Sequence, residues 1–118
     1  MQSQRTLEEI LQSTSDNLFP ADLGDALVEI DSVGCDGDTP LHVLIWRDDT
    51  EGALILIENG ALINACGDMG ETPLHIAIHK KNKNIIDALI TKNARTDIFS
   101  EFGQTALDKA KKNCIKIN

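Results

Sequence analysis

The stretch that decides the fold is Gly70–Ile78, GETPLHIAI, which has a near-copy upstream at Gly37–Ile45, GDTPLHVLI. A weaker third copy, GQTALDKAK, begins at Gly103. The three copies open at Gly37, Gly70 and Gly103, which are equally far apart in the sequence. We call this constant separation in residue number the repeat offset. Because several residue types recur together at this offset, the sequence predicts an internal repeat with the same period.

Each copy has the residues of a helix start. Thr39 and Thr72 stand where a side-chain hydroxyl can cap the free N–H groups of a first turn. Pro40 and Pro73 follow at the first helical position, where the missing N–H costs nothing. The glycine before each Thr suits a turn that needs positive φ.

A second helix is predicted in each unit, over EGALILIEN from Glu51 and NIIDALITK from Asn84. Gly60 should end the first of these in the left-handed conformation, and Asn93 replaces it in the next unit. Both helices of a unit are too short to be stable alone in water. They must bury their apolar sides against the neighbouring units, which is how a solenoid is stabilised.

At these residues the sequence resembles the ankyrin repeat family. The resemblance implies an all-α solenoid of stacked helix-turn-helix units joined by short β-turn or hairpin loops. It gives one domain over 1–118, with full repeats at 37–69 and 70–102. Residues 103–118 would form a partial C-terminal repeat, and residues 1–36 a degenerate N-terminal one. In that first unit we expect a helix over about 7–13, started by a capping box of Thr6 with Glu9, and another over about 21–30.

Composition bounds the class of protein. The chain has 118 residues, of which 42% are apolar and 25% charged, a balance typical of globular domains. We expect no signal peptide, because the N-terminus lacks an apolar run, and no membrane helix. Three cysteines, an odd number, fit no disulfide framework, so we interpret them as reduced thiols of a cytoplasmic protein.

Charge varies along the chain. The net charge of −8 divides into −7 for residues 1–36, −5 for 37–69, +1 for 70–102 and +3 for 103–118. The acidic half argues against binding a phosphate backbone and favours a basic protein partner, although acidic residues also serve solubility alone.

Few residues are candidates for catalysis or metal binding. His75 and His79 are one helical turn apart on a predicted helix, a spacing that can share a metal. His75 belongs to the repeated phrase, however, and the resemblance implies a structural role for it. No nucleophile–base pattern or phosphate-binding loop is present, so the sequence predicts no enzyme, no cofactor and no metal.

The resemblance places partner contacts on the turn tips and first helices. To these positions we add the acidic residues of the loop between the two helices of the first full unit. The predicted contact residues are Asp36, Asp38, Trp46, Arg47, Asp48, Asp49, Asp68, Met69, Glu71, His79, Lys80, Glu101, Phe102 and Gln104. The same positions also include Val33, Cys35, Cys66, Phe99 and Lys112.

Apolar side chains among these positions have two interpretations. Trp46 is the only Trp, and next to Arg47 it is either an exposed anchor or a residue packed over a neighbouring loop. Met69 and Phe102 share one turn-tip position and are either contacts or local packing.

The leading hypothesis is a non-catalytic module that binds one basic protein, as a monomer or in a 1:1 complex, without nucleic acid or membrane. A sharper version is an inhibitor or immunity-type protein that covers a basic site. The alternatives are a metal-dependent or enzymatic protein using His75 and His79, and a structural subunit that associates with itself.

Overall fold

The computed structural model describes residues 6–14, 28–34 and 37–115. The helices in these ranges are α1 Leu7–Gln12, α2 Pro40–Trp46, α3 Thr50–Glu58, α4 Pro73–Lys80, α5 Lys83–Thr91 and α6 Ala106–Lys112. A 3₁₀ turn, Asp68–Gly70, lies between α3 and α4. No residue of the described ranges is in a β-strand, and the predicted all-α solenoid is confirmed.

The helices stack in two rows. The first row is α2, α4 and α6, because α4 contacts both of the others. The second row contains α3 and α5, which contact each other and pack on α2 and α4 respectively, and α1 packs on α3. The apolar core lies between the rows, and its fully buried side chains include Leu41, Leu44, Leu56, Leu74, Ile78, Ile85 and Leu89.

The starts of the first-row helices follow the predicted chemistry. At each start a Thr side chain accepts a hydrogen bond from a backbone N–H one turn further on, and the side chain of that residue bonds back to the Thr N–H. The same reciprocal bonds begin α1, so the register of capping boxes at the repeat offset extends back to the first helix. The four pairs are Thr6–Glu9, Thr39–His42, Thr72–His75 and Thr105–Asp108.

The ends of the second-row helices also match their sequence. Gly60 follows α3 with φ of 89°, and Asn93 follows α5 with φ of 65°. Both residues adopt the left-handed conformation that ends a helix, as predicted. The starts are capped by Asp49 and Asn82, which are separated by the repeat offset and whose side chains accept from the N–H of Gly52 and Ile85.

The N-terminal region matches expectation only in part. Helix α1 lies where a helix over 7–13 was predicted and ends one residue earlier. Most of the helix predicted over 21–30 falls outside the described residues, and its last part, 28–30, is not helical. There the N–H of Glu29 donates to Ser32 Oγ at 2.8 Å and the Ser32 N–H donates back to the Glu29 carbonyl, so a turn replaces the helix. The division of the chain into units at 36, 69 and 102 stays a prediction.

Candidate partner-binding face

Three equivalent turns precede the first-row helices α2, α4 and α6. In each turn the N–H of the first residue donates to the carbonyl oxygen of the fifth, which closes a tight loop. The N–H to carbonyl distances are 2.8 Å for Gly34–Asp38, 2.9 Å for Gly67–Glu71 and 2.8 Å for Ser100–Gln104. The loops turn at Gly37, Gly70 and Gly103, whose φ values lie between 69° and 88°. These are conformations that glycine adopts without strain.

Apolar side chains project from these turns into solvent. Val33, Cys66 and Phe99 occupy one repeat position, and Met69 and Phe102 occupy another. All five side chains are exposed, to 51% for Val33, 48% for Met69, 65% for Phe99 and 64% for Phe102. We call these five residues the turn-tip stripe. Exposed apolar side chains that recur at equivalent positions of neighbouring turns favour an interaction surface.

Neighbouring turns are joined to one another. The N–H of Asp68 donates to Asp38 Oδ1 at 2.9 Å, and the N–H of Glu101 donates to the Met69 carbonyl oxygen at 2.8 Å. The turns are therefore fixed relative to each other, so a partner would meet a preformed surface.

Two buried histidines link their own units to the turn of the next. His42 Nε2 lies 3.0 Å from the carbonyl oxygen of Glu71, and His75 Nε2 lies 3.0 Å from that of Gln104. The Nδ1 atom of each ring accepts from the N–H of its own helix cap, Thr39 or Thr72. Since Nδ1 accepts, Nε2 must carry the proton and donate, so each ring is neutral.

Burial lowers the pKa of His42 below its ordinary value of 6.5, although Asp38 and the Glu71 carbonyl act in the opposite direction. Burial likewise lowers the pKa of His75, against the hydrogen bond to Gln104. Both shifts favour the neutral rings that the hydrogen bonds require.

The proposed metal pair does not come together as a site. Both ring nitrogens of His75 are engaged in hydrogen bonds, whereas His79 is exposed. A metal bound by His75 would have to break the link between two units. Within residues 6–14, 28–34 and 37–115 no three His, Cys, Asp or Glu side chains are grouped as metal ligands.

Glu71, predicted as a partner contact, is buried in the stack. Its carboxylate lies 2.6 Å from Lys109 Nζ of α6, and the side chains of Lys109 and Glu71 are 14% and 9% exposed. It therefore joins the second full unit to the third. Gln104 is half-buried, and its carbonyl oxygen accepts from His75.

Trp46 lies at the opposite end of the first-row helices from the turns. Its side chain is 43% exposed, and its ring makes an edge contact with His79, with centroids 5.5 Å apart and planes inclined at 62°. It is thus exposed and also packed against the next unit, which combines the two interpretations of the sequence. Trp46 is the last residue of α2, so it is about 10 Å along the helix from the turn at Thr39.

Charged residues around Trp46 make contacts of their own. Arg47 Nη1 donates to the Ser13 carbonyl oxygen at 3.1 Å, and Lys80 Nζ lies 3.6 Å from Asp48 Oδ2. Asp49 caps α3 by accepting from the Gly52 N–H at 3.1 Å.

The predicted contact residues thus fall into two groups, the turn tips and the ends of the first-row helices. Asp36 and Cys35 lie outside the described residues. Sequence reasoning did not include Lys81, which occupies the same repeat position as Asp48 with the same left-handed φ, 57° against 58°. The repeat offset was the signal that could have found it.

The sequence was compared with models of known protein families, and two of them match the segment that contains these turns and helices. A family model of ankyrin repeats (many copies) matches residues 27–77, and a model of ankyrin repeats (3 copies) matches residues 62–117. The chain belongs to the ankyrin repeat family. The matches together cover 27–117 and so include every turn and helix of the face described above. A comparison with curated proteins found no match.

Membership of the ankyrin repeat family bears on the kind of activity. Ankyrin repeats generally mediate contacts between proteins and are typically non-catalytic. This agrees with a surface built of exposed apolar side chains on a hydrogen-bonded frame. Of the ankyrin-repeat helices that the structure describes, none has the length and apolar character needed to cross a bilayer.

Proposed function

We propose that this ankyrin-repeat chain is a non-catalytic module that binds one protein partner. The binding surface is the face that carries both the turn-tip stripe and the ends of α2, α4 and α6, which we call the recognition face. The family implies that this side of the stack is concave. We take residues 1–118 to act as one domain, in the cytoplasm, as a monomer or in a 1:1 complex.

The observation that supports this most is the repeated exposure of apolar side chains on the turns. Phe99 and Phe102 are among the most exposed large apolar residues described, yet the repeat does not need an aromatic at either position, since Cys66 and Met69 occupy them one unit earlier. Exposed aromatic and Met side chains on a fixed frame are typical of interface centres.

The acidic residues beside the stripe indicate the charge of the partner. Asp68 and Glu101 are exposed at one repeat position, next to Met69 and Phe102. We propose that they attract a basic surface and speed its association.

The test is recovery of a partner from the native cell by the tagged chain, compared with variants that fold equally well. We expect Met69→Ser/Phe102→Ser to weaken binding by roughly tenfold or more, since such anchors each contribute above about 1 kcal/mol. Leu62→Ser is the matched control, because Leu62 is 41% exposed but lies on the segment after α3. Binding that survives the double substitution, or is lost in the control, would place the interface elsewhere.

We further propose that the chain inhibits its partner by covering a basic site, as an immunity-type protein does. If the recovered partner is an enzyme, its activity should fall to background when the wild-type chain is in excess. The Met69→Ser/Phe102→Ser variant should need roughly ten times more protein than the wild type to reach half inhibition. Full activity beside saturating wild-type chain would show a scaffold and not an inhibitor.

A further inference from the structure

The charges of the recognition face are separated by edge. The charged residues of the turns are all acidic, because the segments that contain the turns, 6–46, 48–79 and 96–108, have no Lys or Arg. Asp68 and Glu101 are exposed there, and Asp38 is half-buried with one oxygen on the Asp68 N–H. The turn edge of the face is therefore negative as well as apolar.

The opposite edge is aromatic at the end of α2 and positive at the ends of α4 and α6. Its residues are the side chains at the ends of α2, α4 and α6, which the repeat register brings to equivalent places. We call it the helix-end edge, and it consists of Trp46, Arg47, His79, Lys80, Lys81 and Lys112. Contacts across units confirm that the ends of α2 and α4 lie together: Trp46 touches the His79 ring, and Lys80 lies beside Asp48.

The positive charge of this edge is only partly used by the fold. Two acidic residues, Asp48 and Asp49, follow Arg47 at the α2 end of this edge. Asp48 meets Lys80 at 3.6 Å, and Asp49 caps α3 through the Gly52 N–H. Lys81 and Lys112 are exposed and have no acidic partner within the described part of the chain. Cations at helix C-termini also interact favourably with the helix dipole, but at exposed positions that interaction is weak and screened by salt. The interaction with the helix dipole therefore does not account for several cations at one edge.

We propose that the helix-end edge binds an acidic peptide segment of the partner, with an apolar side chain of that segment against Trp46. The turn edge then receives an adjoining part that is basic and apolar. The partner is thus bipolar across the stack and not simply basic. This inference rests on the proposed function, since it assigns the chemistry of the partner at the same face.

A peptide fits this face better than a nucleic acid. A polyanion is negative along its whole length, and the turn edge lies only about 10 Å from Trp46, close to one Debye length at physiological salt. Asp68 and Glu101 would repel it there, in a chain whose net charge is −8. A protein segment can place carboxylates at one edge and end before the other.

The test uses two synthetic peptides of about ten residues, long enough to span about 33 Å. One alternates Glu with Leu and the other alternates Lys with Leu. Each is titrated into the full chain, with Trp46 fluorescence and backbone amide NMR shifts as readouts. Because Trp46 is the sole Trp, its fluorescence reports on the helix-end edge alone. The Glu peptide should change it and shift amides near His79–Lys81, while the Lys peptide should shift Asp68, Met69, Glu101 and Phe102.

Charge reversal supplies the control. Lys81→Glu/Lys112→Glu should weaken binding of the Glu peptide by about tenfold, because two attractive exposed charge pairs become repulsive. The double substitution Lys81→Asn/Lys112→Gln removes both charges, and Asn tolerates the left-handed conformation at position 81. This variant should weaken binding of the Glu peptide by about threefold. Lys92→Glu reverses an exposed charge after α5, away from the edge, and should change nothing.

Three results would overturn the inference. They are Glu-peptide shifts at the turns, Glu-peptide binding that is indifferent to the double reversal, and stronger binding of an oligothymidine than of the Glu peptide at the same edge. The last would assign the edge to phosphates. If the Glu peptide fails in these ways while Met69→Ser/Phe102→Ser still weakens partner binding as proposed, the proposed function stands and only the bipolar assignment is lost.

Discussion

His42 in α2 donates through Nε2 to the carbonyl oxygen of Glu71, in the turn of the next unit, at 3.0 Å. His75 repeats the bond to Gln104 with the same sequence separation and the same distance. Each ring also accepts from the N–H of its own helix cap. One side chain thus closes a helix start and holds the turn of the next unit, so the solenoid frame and the position of the turn-tip stripe depend on the same two rings.

Replacing His42 with Ala should lower the free energy of unfolding by about 3 kcal/mol, because the Thr39 N–H and the Glu71 carbonyl lose a buried partner and a cavity remains. Urea unfolding monitored by circular dichroism measures it. His79→Ala is the control, since His79 is exposed and its loss should change stability by about 0.5 kcal/mol or less. Equal effects of the two substitutions would refute the bridging role.

Stability should fall as the pH is lowered from neutral. The folded pKa of His42 and of His75 lies below 6.5, so between that value and about 6.5 the unfolded chain binds more protons than the folded one. The contribution is complete above pH 6.5 and decreases as the pH falls through this range. Urea midpoints between about pH 7.5 and about pH 5.5 would show the decline. His42→Gln/His75→Gln, which cannot titrate, should have a flatter profile, and an unchanged slope in that variant would assign the decline to other groups.

Breaking the Glu71–Lys109 ion pair should cost more than breaking an exposed pair. Glu71→Gln leaves Lys109 charged and nearly buried, so we expect a loss of about 2 kcal/mol in the free energy of unfolding. Asp97→Asn removes the partner of Arg95, a pair whose side chains are 69% and 61% exposed, and should cost almost nothing. Thermal melts of both variants at low and high salt make the comparison. A larger loss for Asp97→Asn would mean that the buried pair does not hold α6.

Gly67 should tolerate no larger residue. A Cβ atom there would collide with the Asp38 carboxylate and approach the His42 ring to 3.0 Å. Gly67→Ala should therefore lower the free energy of unfolding by about 2 kcal/mol, because it displaces the two side chains that bond to the turn of the next unit. Gly60→Asn is the contrast, because Asn93 already holds the left-handed conformation at the equivalent position and that change should stay within about 0.5 kcal/mol. Equilibrium unfolding in urea compares the two, and a neutral Gly67→Ala would show that the turns are not packed this closely.

The stack of helices was predictable from the sequence because the residues that start and end each helix act on their immediate neighbours in the chain. Thr39, Pro40 and Leu41 each act within one helix turn, and their recurrence at the repeat offset specifies the stacking. The capping box of Thr6 and Glu9 was predicted as an isolated feature. Its place in the same repeat register was not recognised, because Leu7 and Glu8 stand where the two full copies have the Pro-Leu pair. The prediction that the helix extends over 28–30 was wrong, because Ser32 and Glu29 form a turn there. The pattern of apolar residues does not reveal this turn.

The face was predictable only as a set of positions. The repeat shows which positions vary, but not which side chains the fold uses. Glu71 was grouped with the surface acids because its partner, Lys109, is distant in the sequence and no local pattern connects the two. The contrast between the acidic turns and the basic ends of α4 and α6 was likewise hidden by the charge gradient along the chain, because it appears only when each turn is compared with the far end of its own helix.

The most direct measurement is hydrogen exchange of the chain alone and bound to its recovered partner. The recognition face predicts slowed exchange on binding at 66–71 and 99–104 in the turns and at 79–82 at the end of α4, with little change in α3 and α5. Protection concentrated in α3 and α5, with the turns unchanged, would contradict the central claim that the partner is held by the turn tips and the ends of the first-row helices.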